Sequence, residues 1–279
     1  LSLSLSLSLS LSLSPHHAGA QALVTWSLRR AFPGTPFSMV AEEDAADLRA
    51  EGGAAMAERI AALVNEVLAG EAGAGAPAAP DDTASPPAPA SPLSTAAVLA
   101  LIDAGGSAGG AEGKHWVLDP IDGTRGFVGG RQYAVCLGLL DGGAPVLGVL
   151  GCPNLPASAA LVEEDGQAGK AGKERGDVGV LFWATRGGGS HAEPLAPASP
   201  PTPAIRLAVT DTPPGTGGVR FMESFEARHS DFALAARLAG ALGVTAPSLR
   251  LDSQAKYGAL ARGDAAINLR FPPAGYREK

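Results

Sequence analysis

The pattern of apolar and polar positions divides this chain into segments that predict a mixed α/β fold. Residues 20–32 carry apolar side chains at 20, 23, 24, 28, 31 and 32, close to the 3.6-residue period of a helix, and Pro33-Gly34 stops it. Phe37-Ser38-Met39-Val40 reads as a short strand running into Glu42-Glu43-Asp44. A second helix is predicted over 54–68, with Met56, Ile60, Leu63, Val64 and Val67 on one face. Pro92-Leu93-Ser94-Thr95 supplies the start of a third, ending near Asp103. Strands follow at 115–118, 133–140 and 145–151, the last two joined by a hairpin turn at Asp141-Gly142-Gly143. Toward the end of the chain, a helix at 231–242, a strand at 249–252, a helix at 255–262 and a strand at 265–270 alternate as in an α/β unit.

Between these segments the periodicity dissolves. Residues 1–14 are seven Leu-Ser dipeptides; the alternation suits a half-buried strand, but identical dipeptides read as a low-complexity tail. Residues 69–92 are rich in Ala, Gly and Pro and read as a flexible insertion. Residues 163–179 form a polar, Gly-rich loop or lid candidate, and 194–203 a Pro-rich connector into a strand at 205–210. The predicted organisation is a tail (1–14), an α+β domain (15–212) and a smaller α/β domain (219–279).

The 279 residues allow one large or two modest domains. A net charge of −7 without a basic stripe argues against nucleic acid as partner, so an anionic substrate would need local positive charge. The two cysteines, Cys136 and Cys152, lie in apolar runs without a CxxC pattern, which predicts buried thiols and no zinc cluster. No apolar run approaches ~20 residues, so no membrane partner is expected.

The richest chemistry lies in Leu118-Asp119-Pro120-Ile121-Asp122-Gly123-Thr124-Arg125-Gly126-Phe127. His115-Trp116-Val117-Leu118 predicts a strand ending at Asp119, with Asp119 and Asp122 projecting from its end. Paired hard-oxygen ligands suit Mg²⁺, which keeps water and substrate phosphate in its other positions. Gly123 permits a sharp bend after the second acid, and outward N–H groups at Gly123 and Thr124 would cradle a phosphate oxygen.

Asp-Pro-Ile-Asp-Gly-Thr resembles the signature of the lithium-sensitive, Mg²⁺-dependent phosphatases related to inositol monophosphatase. His115-Trp116-Val117-Leu118, Gly151-Cys152-Pro153-Asn154-Leu155-Pro156 and Leu251-Asp252-Ser253-Gln254-Ala255-Lys256-Tyr257 resemble the plant and algal 3'(2'),5'-bisphosphate nucleotidases within that family. The resemblance implies a layered α/β sandwich and a monomer that binds a small phosphonucleotide. It implies two or three Mg²⁺ ions, with Glu42 (rather than Glu43), Asp119, the Ile121 carbonyl and Asp122 as ligands. Asp119, Glu42 and Thr124 are the implied catalytic residues, Thr124 bonding the attacking water. Gly123, Thr124, His229, Ser253, Lys256 and Arg270 are the implied substrate contacts, and Arg125 a structural residue or a general attractor for phosphate. An Asp of the family's Val-Ala-Asp-Tyr-Gly has His17 in its register here, and the family continues past Lys279 into Trp-Asp-His; the resemblance thus implies truncation at both ends. The implied reaction is hydrolysis of the 3'-phosphate of adenosine 3',5'-bisphosphate. The alternatives are an inositol phosphate phosphatase and a catalytically dead phosphonucleotide-binding protein.

Overall fold

A computed structural model describes residues 15–73, 91–158, 178–195, 203–209, 211, 219–225 and 231–271. The Leu-Ser tail, most of the 69–92 insertion and of the 163–179 lid candidate, the connector around residue 200, and His229 lie outside the described residues. The chain forms two compact units, Leu1–Pro120 with Leu137–Ala144, and Ile121–Cys136 with Pro145–Lys279. The boundaries of the two units fall within three strands.

In the first unit, helix α1 (Pro15–Ala31) begins five residues before the apolar periodicity does. Pro15 is tolerated there because first-turn N–H groups have no helical partner. The buried face of α1 is His17, Ala18, Gly19, Gln21, Ala22 and Thr25, not the predicted stripe at 20, 23, 24 and 28. Small residues let the neighbouring helices come close, and the buried polar groups are held by hydrogen bonds that hydropathy does not register. Strand β1 (Met39–Ala41) and the short helix α2 (Ala46–Arg49) precede α3 (Ala54–Gly73). The core face of α3 carries Ala57, Ile60, Ala61, Val64 and Leu68, while Val67 points out. Helix α4 (Thr95–Asp103) opens at the predicted signal, with the Ser94 hydroxyl accepting the Ala97 N–H. Asn65 holds the chain entering it, donating to the Leu93 carbonyl (2.9 Å) and accepting its N–H (2.7 Å).

Strand β2 (Lys114–Asp122) pairs in parallel with β1, Met39 opposite Trp116 and Ala41 opposite Leu118. It corrects the expectation of a strand ending at Asp119. The extended backbone continues through Pro120 to Asp122, and the bend comes only at Gly123 (φ +87°). Proline's fixed φ is compatible with a strand wherever its missing N–H is not needed.

The second unit opens with α5 (Thr124–Val128), a one-turn helix that the sequence did not announce. Strand β3 (Ala134–Asp141) leads to β4 (Ala144–Pro156) through Gly142 and Gly143, both at positive φ, as a two-residue hairpin turn requires. Strands β5 (Val178–Thr185) and β6 (Gly189–Pro194) were not predicted, and β6 takes in the first proline of the expected connector. With β7 (Ile205–Arg206) they continue antiparallel from β4 in the order β4-β5-β6-β7. A parallel three-stranded sheet follows, in the order β10-β8-β9. Its elements are β8 (Phe221–Ser224), α6 (Phe232–Ala241), β9 (Leu249–Leu251), α7 (Ala255–Ala261) and β10 (Ile267–Asn268). Cys152, Leu155, Phe182, Met222, Leu249 and Leu251 share its core. The α/β class expected from the sequence is the one observed.

Candidate functional site

In the first unit the acidic segment after β1 is tied down at alternate residues. Ala41 N–H bonds the Gly105 carbonyl (2.9 Å), Glu43 N–H the Gln21 Oε1 (3.0 Å) and Ala45 N–H the Asp103 carboxylate (3.0 Å). Backbone fixed at 41, 43 and 45 leaves Glu42 and Asp44 turned outward and exposed, with Glu43 half-buried. Asp44 accepts the Ala46 N–H (2.8 Å) at the start of α2.

Burial first, and then the charges of Glu42, Asp44 and Asp119, push the Glu43 carboxyl up to about 7. Four acids thus share one electrostatic neighbourhood, and the expected ligands Glu42 and Asp119 belong to it. His17 is buried, and burial lowers its pKa against the opposing pull of Glu42, so a neutral imidazole stands near Glu42.

Among the described residues no three or more His, Cys, Asp or Glu side chains converge as a ready metal cage. The donor chemistry still fits a divalent cation of the Mg²⁺ type. Such an ion needs only one or two carboxylates, its other positions going to water and substrate oxygens. Beyond burial, the charges of Glu42, Asp44 and Asp119 also raise Glu43, and a bound cation would relieve that part. Within the first unit, Glu42 and Asp119 are the carboxylates of this neighbourhood that the sequence singles out as candidate ligands.

In the second unit the end of β2 meets the loop before α7. The Asp122 carboxylate accepts the Gln254 N–H. A Cβ on Gly123 would lie 2.7 Å from Ser253 Cβ, so at this φ only glycine allows the loop this close. Ser253 has φ +63°, the one positive φ outside glycine among the described residues, and its hydroxyl accepts the Ala255 N–H (3.1 Å). Lys256, the second residue of α7, is buried and donates from Nζ to the Ser224 hydroxyl (3.3 Å) at the end of β8. It is therefore not a helix-surface lysine reaching for water. Asp252 is also buried and faces Arg131 at 3.5 Å.

The structure thus brings Asp122, Gly123 and Ser253 together, with Lys256 in the first turn of the helix that follows. Thr124 is the first residue of α5, Arg125 is exposed on it, and Arg270 is half-buried two residues after β10. Asn154 explains why the Cys-Pro-Asn block accompanies the acidic motif. Its side chain donates to the Arg131 carbonyl (2.6 Å), and its carbonyl accepts from the Gln132 side chain (2.7 Å), fixing the segment after α5. Cys152 is buried, and its thiol is pushed up to about 12, by burial first and by Asp122, against the pull of Arg262. It is an inert core thiol, as expected.

Sequence reasoning missed Gln21, Ser224 and Arg131. Gln21 stood in plain view in Gly19-Ala20-Gln21-Ala22-Leu23, but a polar residue on a helix gives no sign of burial until its partners are known.

A model of the Inositol monophosphatase family matches residues 53–279. A 3'(2'),5'-bisphosphate nucleotidase 1 of Arabidopsis thaliana is 46% identical over 262 residues, covering 94% of this chain and 67% of its own length. A 3'(2'),5'-bisphosphate nucleotidase of Oryza sativa is likewise 46% identical, over 94% of this chain and 66% of its own. That of Emericella nidulans is 40% identical over 94% of this chain and 70% of its own length. The chain spans about two thirds of the length of these relatives. Among solved structures, CysQ from Bacteroides thetaiotaomicron matches 63% of this chain and 65% of its own, at 16% identity and a TM-score of 0.36.

Proposed function

Because the chain belongs to the inositol monophosphatase family, we propose that it is a Mg²⁺-dependent phosphatase acting on the 3'-phosphate of adenosine 3',5'-bisphosphate. Its 5'-phosphosulfate relative is the second substrate of this reading. The observation that carries the nucleotide assignment is the joining of Asp122 and Gly123 to Ser253 and Gln254, since the acidic motif and the distant block resembling nucleotidases are one structural unit. The names of the relatives supply the substrate class.

Water adds to phosphorus and the bond from phosphorus to the 3'-oxygen breaks, leaving inorganic phosphate and adenosine 5'-phosphate. Bound Mg²⁺ would lower the pKa of water and offset the charge on the phosphoryl oxygens. Glu42, Asp119, Asp122 and the Ile121 carbonyl are the groups to hold it. The Thr124 hydroxyl orients the water, and the N–H groups at Gly123 and Thr124 receive a phosphoryl oxygen. Lys256 and Arg270 bring charge-assisted hydrogen bonds to the second phosphate. Ser253 offers its hydroxyl, and His229 its imidazole, to the nucleotide.

The test is phosphate release with Mg²⁺ from adenosine 3',5'-bisphosphate and, separately, from inositol 1-phosphate. The expected result is preference for the nucleotide and loss of release in Asp119→Asn. Preference for the inositol ester would overturn the nucleotide assignment, and release untouched by Asp119→Asn would overturn the metal assignment. His17 supports a second reading. A neutral imidazole near Glu42 adds no negative charge, which favours a protein that binds the phosphonucleotide without turning it over. Tight nucleotide binding by calorimetry with no phosphate release would select that reading.

A further inference from the structure

Gln21 is fully buried on α1, and its carboxamide is used at both ends. Nε2 donates to the Glu43 carbonyl (2.7 Å) and to the Ile102 carbonyl at the end of α4 (2.7 Å), while Oε1 accepts the Glu43 N–H (3.0 Å). One side chain therefore closes a two-point clamp on the backbone of Glu43 and fastens it to a second helix. The clamp demands space. A Cβ on Gly105 would lie 2.7 Å from Gln21 Nε2 and 2.7 Å from Ala41 Cβ. The direction in which the Glu42 and Glu43 carboxylates leave this backbone is therefore tied to the Gln21 amide.

We infer that Gln21 is a positioning residue for cation binding, holding the Glu42-Glu43 backbone so that the Glu42 carboxylate is presented toward a divalent ion. The inference rests on the proposed metal-dependent reading. Gln21 touches neither ion nor substrate; it acts through the peptide groups it clamps. Partners one step removed from a metal ligand typically set metal affinity by about 10–100-fold, because they remove the ligand's freedom to turn away. An alternative role in α1 core packing alone would change stability and leave cation affinity untouched.

Three variants of the full chain separate these roles. Gln21→Asn keeps an amide but draws it back by one methylene, opening the clamp. Gly105→Ala pushes the Gln21 amide from the other side without altering any charged group. Thr25→Val is the control, since Thr25 is equally buried on α1 and its hydroxyl donates to the Gln21 carbonyl of its own helix (2.8 Å). The readouts are Mn²⁺ affinity by titration calorimetry, the Mg²⁺ concentration for half-maximal phosphate release, and Tm.

The expected result is Mn²⁺ binding weakened about tenfold or more in Gln21→Asn and Gly105→Ala. The Mg²⁺ requirement rises in parallel, kcat recovers at saturating Mg²⁺, and Thr25→Val lowers Tm alone. Unchanged Mn²⁺ affinity in the two clamp variants, or an equal loss in Thr25→Val, overturns the inference and leaves the metal reading standing. A wild-type chain that binds no Mn²⁺ overturns both. If Gln21→Asn does not fold, Gly105→Ala still decides.

Discussion

At the residue scale, Glu43 makes the protein's stability depend on pH. In the folded chain its carboxyl keeps its proton up to about 7, against an ordinary value of 4.5. Protonation therefore favours the folded state; that contribution is complete below 4.5 and is lost as pH rises through about 7. In the presence of a chelator, Tm should fall across this window, and Glu43→Gln should flatten the fall and raise Tm above it. Calorimetric scans from pH 4 to 8.5 check this, and an unaltered profile in the variant counts against the acidic neighbourhood. A second residue-scale outcome concerns Gly123. Gly123→Ala combines a positive φ with a Cβ pressed against Ser253, and forcing either conformation costs roughly 1–3 kcal/mol. Urea denaturation should register that loss, and kcat/KM for the nucleotide should drop because Ser253 is displaced. A variant as stable and as active as wild type would show that the close approach is not needed.

At the element scale, α7 is held by its last turn. Arg262 meets the Asp264 carboxylate twice (2.8 and 2.6 Å) and donates to the Pro156 carbonyl at the end of β4 (2.7 Å). The arginine side chain is 7% exposed and the aspartate 0%, so removing one partner strands a buried charge. Arg262→Met should cost about 3–5 kcal/mol, more than the double change Arg262→Met with Asp264→Leu, which removes both charges. Chemical denaturation of the two variants compares them directly; a single variant that loses nothing would mean the pair is solvated in solution. The elements also show where patterning works. Ser94 and Asp231 open α4 and α6 as their capping chemistry predicts, each accepting an N–H three residues on. The pattern fails on α1, where Gln21 and Thr25 are buried for their hydrogen bonds.

At the scale of the whole molecule, ligand binding is the measurable consequence of the proposed site. A cation at 100 times its Kd stabilises the folded chain by about 2.7 kcal/mol, so Mg²⁺ should raise Tm and Asp119→Asn should abolish the rise. Thermal shift measurements with and without Mg²⁺ test this, and an equal rise in both proteins would place the ion elsewhere. The sequence by itself determined the α/β class, the family and the acidic motif, because local patterning and a contiguous run of ten residues carry that information directly. It also located Gly142-Gly143, since a two-residue hairpin needs positive φ. Only the tertiary structure decided that β2 continues to Asp122, that Ser253 lies on Gly123, that Lys256 is buried against Ser224, and that Gln21 clamps Glu43. The last three of these join residues distant in the chain, through hydrogen bonds and close contacts whose partners no local window contains.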